Sequence, residues 1–326
     1  MANAAGMETA LKDLARVIIP EKKSQGMVQC SVGSNLADFE ILQELGRGTY
    51  GVVNKVRSRK DARIYVLKKI KCSHLPPQRQ KEALLEVLLL RRLNHPNVIG
   101  YHTSFVEKKS LHIVMEYAPG GDLQGLVDEH KRHGSYVPEE EVWRVCKELM
   151  MALKHLHSKR IMHRDIKMVN VFLGVNRTVK LGDLGVSRVL DREDDMAQSR
   201  VGTPLYLAPE LIKRQPYDFK ADVWAAGVLV YTLAARTGPF KGNNIYSLGH
   251  SIVHETPPPL PKTYSAALCG VIFSMLEKAP ALRPSVDELL RKMPRPKSHS
   301  VDRREEEDEE ASLRSTERRS SATGGG

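Results

Sequence analysis

The run His163-Arg164-Asp165-Ile166-Lys167-Met168-Val169-Asn170, followed by Asp183-Leu184-Gly185, places two carboxylates, an amide and a lysine within a short stretch of chain. That combination suits phosphoryl transfer from ATP. Asp165 can accept or orient the proton of an attacking hydroxyl. Asn170 and Asp183 are hard oxygen donors of the kind magnesium takes, and the metal would neutralise charge on a transferring phosphate. Lys167, two residues beyond Asp165, can reach the γ-phosphate. His163 reads as a packed structural histidine rather than a proton-transfer group.

A second feature is Gly46-x-Gly48-x-x-Gly51-x-Val53, which lies between two strand-like runs. Glycines there let backbone N–H groups approach phosphates without obstruction by a Cβ. Dinucleotide-binding sites share this spacing but need a helix directly after the glycines. Here a strand pattern follows, which favours a hairpin covering phosphates.

The elements that must hold these groups follow from periodicity. Strand patterns occupy Phe39–Gly46, Val52–Ser58 and Arg63–Ile70, with shorter ones near His102–Val106 and Leu111–Glu116. Between them Gln78–Leu93 has helical spacing, with Ala83, Leu84, Val87, Leu88 and Leu90 on its apolar face. After Pro119-Gly120-Gly121 the composition turns helical. Pro138 opens a helix with Val142, Val145, Leu149, Leu153 and Leu156 on one face. Further helices are expected near Ala221–Arg236, Tyr246–His254, Tyr264–Leu276 and Val286–Lys292.

Composition narrows the class. Of 326 residues 41% are hydrophobic, enough for a sizeable core, and no apolar run approaches the roughly 20 residues needed to span a bilayer. No secretory signal pattern opens the chain. Cys30, Cys72, Cys146 and Cys269 are scattered without metal-ligand spacing, which points to free thiols and a cytoplasmic or nuclear protein. The net charge of +11 is spread along the chain without a nucleic-acid motif, so no specific nucleic-acid partner is expected.

Taken in order, these motifs resemble the catalytic core of protein kinases, and within them the NIMA-related (NEK) Ser/Thr kinase family. The segments carrying the narrower likeness are Tyr65-Val66-Leu67-Lys68-Lys69-Ile70, Leu93-Asn94-His95-Pro96-Asn97-Val98-Ile99, Asn170-Val171-Phe172-Leu173, Val179-Lys180-Leu181-Gly182-Asp183-Leu184-Gly185 and Val201-Gly202-Thr203-Pro204. Departures exist: Met168-Val169 replaces the common Pro-Ala or Ser-Ala, Ala225-Ala226 stands where Ser-Leu is frequent, and Leu184 replaces an aromatic ring. The last implies a shifted balance between active and inactive packing.

The resemblance implies an α+β bilobal protein-kinase fold, with a small antiparallel β-sheet lobe bearing one helix and a larger, mainly α-helical lobe. The kinase domain would span 37–293, with lobes at 37–118 and 119–293. Residues 1–36 would form a mostly disordered extension and 294–326 a disordered charged tail.

It also implies that Lys68 holds the α/β-phosphates and Glu86 fixes its direction, although Glu86 reads equally as a solvated helix carboxylate. Met115 would be the gatekeeper. The backbone of Glu116 and Ala118 would bind adenine, Asp122 the ribose, and Val53, Val66 and Phe172 would sandwich the base. Phe172 reads equally as a core aromatic. Thr203 would bond near Asp165 and Lys167, Glu210 would pair with Arg283, and Asp222 would brace the catalytic loop.

ATP and Mg2+ are the implied cofactors, and a protein is the implied substrate. The likeness further implies an upstream kinase or autophosphorylation, a cell-cycle, microtubule or cilium role, and a cytoplasmic, cytoskeletal or nuclear location. A pseudokinase or signalling scaffold is the alternative on the same fold.

Ser199 lies four residues before Thr203 in the segment from Asp183 to Glu210, and Arg164, just before the base, and Arg188, close after Asp183, could both bind a phosphate there. Phosphoserine adds about −1.5 to −2 charge, enough to draw two guanidiniums together. It reads otherwise as an exposed loop serine. Ser199→Ala is expected to lower kinase activity severalfold, as is phosphatase treatment of the native enzyme; full activity in both would reject an activating role.

Overall fold

A computed structural model describes residues 35–48, 51–72, 83, 85, 87–183 and 204–294. Two units are distinguished, Met1–Lys292 and Met293–Gly326; of the second, Met293 and Pro294 are described. The expectations for residues 1–34 and 295–326 lie outside the described residues.

Strands β1 (Phe39–Gly48), β2 (Gly51–Ser58), β3 (Ile64–Lys71), β4 (Tyr101–Glu107) and β5 (Ser110–Glu116) form one antiparallel sheet in the order β1-β2-β3-β5-β4. Alternation along β3 decides what each face does. Tyr65 and Leu67 turn into a cluster with Phe39, Val56 and Val114, whereas Val66 and Lys68 face the other way. Between β3 and β4, residues 87–91 are helical, with Val87, Leu88 and Leu90 buried.

The larger lobe begins with α1 (Leu123–Arg132), capped by Asp122, whose Oδ1 accepts the Gly125 N–H at 2.8 Å. The sequence pattern predicts the first helix of this lobe only from Pro138, so α1 is an addition. Next comes α2 (Glu139–Ser158), which carries Glu139, Glu140 and Glu141 in its first turn and buries Val142, Val145, Cys146, Leu149, Leu153 and Leu156. The acidic start opposes the positive end of the helix dipole. Burial pushes the Cys146 thiol up to about 12, and Cys146 and Cys269 are free thiols.

Two three-residue strands, β6 (Val171–Leu173) and β7 (Val179–Leu181), pair antiparallel at the top of this lobe. Then follow α3 (Pro209–Ile212), α4 (Lys220–Ala235), α5 (Ile245–His254), α6 (Ala266–Met275) and α7 (Val286–Lys292). Helix α4 is buried on every side from Ala221 to Ala234, and α2 and α6 pack against it. A Cβ on Gly227 would lie 2.8 Å from that of Met275, so glycine sets how near α6 can come. Among the described residues no helix is long and apolar enough to cross a membrane.

Glu210 in α3 and Arg283 before α7 form a buried ion pair, with Arg283 Nη1 2.8 Å and Nη2 3.1 Å from the two carboxylate oxygens. Arg283 also donates to the carbonyls of Lys220 and Glu277 and lies over the Trp224 ring. Every charge is thereby matched. Removing one partner strands the other in an apolar interior, so Glu210→Ala is expected to destabilise the chain by about 3–5 kcal/mol in chemical unfolding. A cost comparable to that of an exposed ion pair, under about 1 kcal/mol, would contradict this.

Candidate active site

Asp222, in the first turn of α4, sits almost wholly out of solvent beneath the catalytic loop. Its Oδ2 accepts the N–H of His163 at 2.9 Å and lies 3.0 Å from His157 Nε2; its Oδ1 accepts the N–H of Arg164 at 3.0 Å. Burial alone would raise its pKa, but the His157 contact and these backbone donors outweigh that and hold it below the usual carboxylate range. The loop needs such an anchor. Arg164 has φ 65°, a conformation costing a non-glycine residue about 1–2 kcal/mol.

His163 carries the restraint onward. Its Nε2 donates to the Gly182 carbonyl at 2.9 Å, and its Nδ1 faces the Asp165 N–H at 3.4 Å. One nitrogen donating and one accepting is the neutral imidazole, and burial holds its pKa below the ordinary value. The ring therefore ties the loop to the residue just before Asp183.

Around the reacting position, Asp165 Oδ2 lies 2.8 Å from Lys167 Nζ and accepts from Asn170 Nδ2 at 2.8 Å. Asn170 Nδ2 also donates to the Asp165 carbonyl, and the Gly182 N–H donates to the Asn170 carbonyl at 2.9 Å. The Tyr206 hydroxyl accepts the N–H of Met168 at 3.4 Å. Asp183, with φ 48°, directs Oδ1 to within 3.2 Å of Lys68 Nζ. The Lys68 ammonium holds the Asp183 carboxyl below its ordinary pKa.

Lys68, Asp165, Lys167, Asn170 and Asp183 thus converge between the sheet and the helical lobe. Asn170 and Asp183 supply oxygen donors, and Asp183 is 47% exposed. That set fits magnesium, which binds few protein oxygens and completes its shell with water and phosphate.

The floor and roof of the cleft are equally defined. Val53 is opposite Lys68 across β2 and β3, and Val66 is opposite Met115 across β3 and β5. Met115 is buried. Beyond β5, the N–H and carbonyl of Ala118 have no backbone partner among the described residues, leaving an edge for an adenine-like donor–acceptor pair. Gly120 and Gly121 exchange backbone bonds with Leu173, and Asp122 bridges to Phe172, whose half-buried ring lies against Gly182, the residue before Asp183. Asp122 therefore has a capping task besides any contact with a ribose.

In the glycine hairpin, Gly46 is open, and Gly48 pairs with Gly51. A Cβ on Gly51 would come within 1.7 Å of the Lys69 carbonyl, so the close approach of β3 also demands glycine there.

Glu86, Leu184, Arg188, Ser199 and Thr203 lie outside the described residues. Arg164 stands 5.9 Å over the Tyr217 ring. Sequence reasoning missed His157, Tyr206 and the Lys180–Glu116 ion pair of 2.7 Å. None has a local signature, since each finds its partner tens of residues away.

Because the Asp222 pKa is depressed, its contribution is complete above the unfolded value of about 3.9 and is lost as pH falls through the folded one. Asp222→Ala strands one buried and two part-buried donors and is expected to cost about 3 kcal/mol at pH 7. The gap from the native chain should narrow below about pH 4. A gap independent of pH in chemical unfolding would contradict the ionised anchor.

Comparison with known proteins adds an independent finding. The family model described as "Protein kinase domain" matches residues 39–293. Serine/threonine-protein kinase Nek4 of Mus musculus is 40% identical over 256 residues, covering 78% of this chain and 32% of that protein. Serine/threonine-protein kinase Nek11 of Homo sapiens is 38% identical over 256 residues, covering 78% and 40%. A probable serine/threonine-protein kinase nek2 of Dictyostelium discoideum is 38% identical over 258 residues, covering 77% and 61%. The matched part spans about a third of the mouse relative and less than two thirds of the others.

Proposed function

We propose that this chain, which belongs to the protein kinase family, transfers the γ-phosphoryl group of ATP to serine or threonine hydroxyls of proteins. The observation that carries this reading is the meeting of Lys68, Asp165, Lys167, Asn170 and Asp183 in one cleft.

Asp165 would receive the hydroxyl proton as the oxygen–phosphorus bond forms and the bond from the γ-phosphorus to the β–γ bridging oxygen breaks. Lys167, already 2.8 Å from Asp165, can follow the charge that passes to the γ-phosphate. Lys68 would exchange Asp183 for the α/β-phosphates. Asn170 and Asp183 would hold magnesium, whose role is to neutralise the phosphate oxygens. These residues work by positioning and charge, and no covalent enzyme intermediate is required.

Lysine at 167 and the Gly202-Thr203-Pro204 segment support Ser/Thr rather than Tyr acceptors, as does likeness to several Ser/Thr kinases. We place the chain among NIMA-related kinases on the segments that carry that likeness and on its similarity to Nek4 and Nek11. A role with microtubules, centrosomes, cilia or the cell cycle, and a cytoplasmic, cytoskeletal or nuclear location, rest on that likeness. Activation through Ser199 by an upstream kinase or by autophosphorylation belongs to the same reading. A scaffold without catalysis would be expected to lack the lysine, the base or a metal ligand, and Lys68, Asp165, Asn170 and Asp183 are all present.

Asp165→Asn should lower kcat about 10²–10⁴-fold in a radiolabelled-ATP assay on a positional peptide library, with the melting temperature little changed. Unaltered turnover would remove Asp165 as the base.

A further inference from the structure

Lys180, on β7, and Glu116, at the end of β5, meet at 2.7 Å across the boundary between the two lobes. Lys180 is 15% exposed and Glu116 35%, so this pair is better shielded than an ordinary surface contact. Glu116 does more than balance a charge. Its Oε2 accepts the Gly100 N–H at 3.0 Å, while its own N–H donates to the Gly100 carbonyl at 2.8 Å. One residue therefore grips the stretch before β4 twice and β7 once.

The stretch before β4 is itself sewn to β7. The Leu181 N–H donates to the Asn97 carbonyl, and the Ile99 N–H to the Leu181 carbonyl, each at 2.9 Å. Lys180 stands opposite Phe172 in the small sheet, and Asp183 follows it by three residues. The ion pair thus joins the edge proposed to hold the base with the strand that delivers the metal ligand.

We propose that Glu116 and Lys180 are positioning residues that set the spacing between the base-binding edge and Asp183. This rests on the kinase reading above. A ligand that touches both ends of the cleft senses that spacing; one that touches only the base edge does not.

Calorimetric titration of the full chain with Mg-ATP and, separately, with adenosine tests the idea. Lys180→Met and Glu116→Gln are each expected to weaken Mg-ATP about tenfold, or about 1.4 kcal/mol, and Lys180→Met to leave adenosine unchanged. The two substitutions alter net charge in opposite directions, so a shared loss cannot be a long-range effect on an anionic ligand. The double variant should be no worse than either single one, and Lys180→Arg should restore most of the affinity.

Equal weakening of adenosine and Mg-ATP by Lys180→Met would overturn the proposal, as would opposite effects of the two substitutions on Mg-ATP, additive losses or no change. A native chain that binds neither ligand would instead overturn the kinase reading on which this one stands.

Discussion

The carboxylate of Asp222 is the restraint on which the catalytic geometry depends. A loop that turns through a left-handed residue at Arg164 is not stable by its own local preferences, and a charged acceptor beneath it offsets the strain. Since Asp222 belongs to α4, buried on every side from Ala221 to Ala234, the loop inherits the rigidity of the lobe's central helix. His163 then passes that rigidity to Gly182, and so to the segment bearing Asp183.

The ion pairs divide into two kinds. Glu210–Arg283 is buried at both ends and saturated with further hydrogen bonds, so it fixes α3 against the approach to α7. Lys68–Asp183 is partly open to solvent, at 23% and 47%. Charges so placed are screened and exchange partners readily. That suits groups proposed to take phosphate and metal as partners. Depth decides which pair is structural and which is free to take part in binding.

Much was legible along the chain because period and spacing are local properties. Alternation puts Val66 and Lys68 on one face of β3, and the structure turns Tyr65 and Leu67 into a core cluster on the other. The five longer strands and α2, α4, α5, α6 and α7 lie within a few residues of their sequence patterns. What escaped has physical causes. Strands β6 and β7 are three residues each, too short for a period to register, and besides each other they bond to Gly120 and Gly121 and to the stretch before β4. Helix α1 is announced mainly by its Asp122 cap, a residue already read for a ribose, and Gly125 interrupts its pattern.

By itself the sequence determined the reaction class it could serve, because the donors and carboxylates of the catalytic loop are brought into reach by covalent spacing over a few bonds. It also determined which face of each long element is apolar. The tertiary structure alone decided that Asp222 accepts from His163, Arg164 and His157, that Lys68 meets Asp183, and that Glu116 meets Lys180. Those contacts join residues dozens of positions apart, and no local pattern encodes a distance that only packing of the lobes can set.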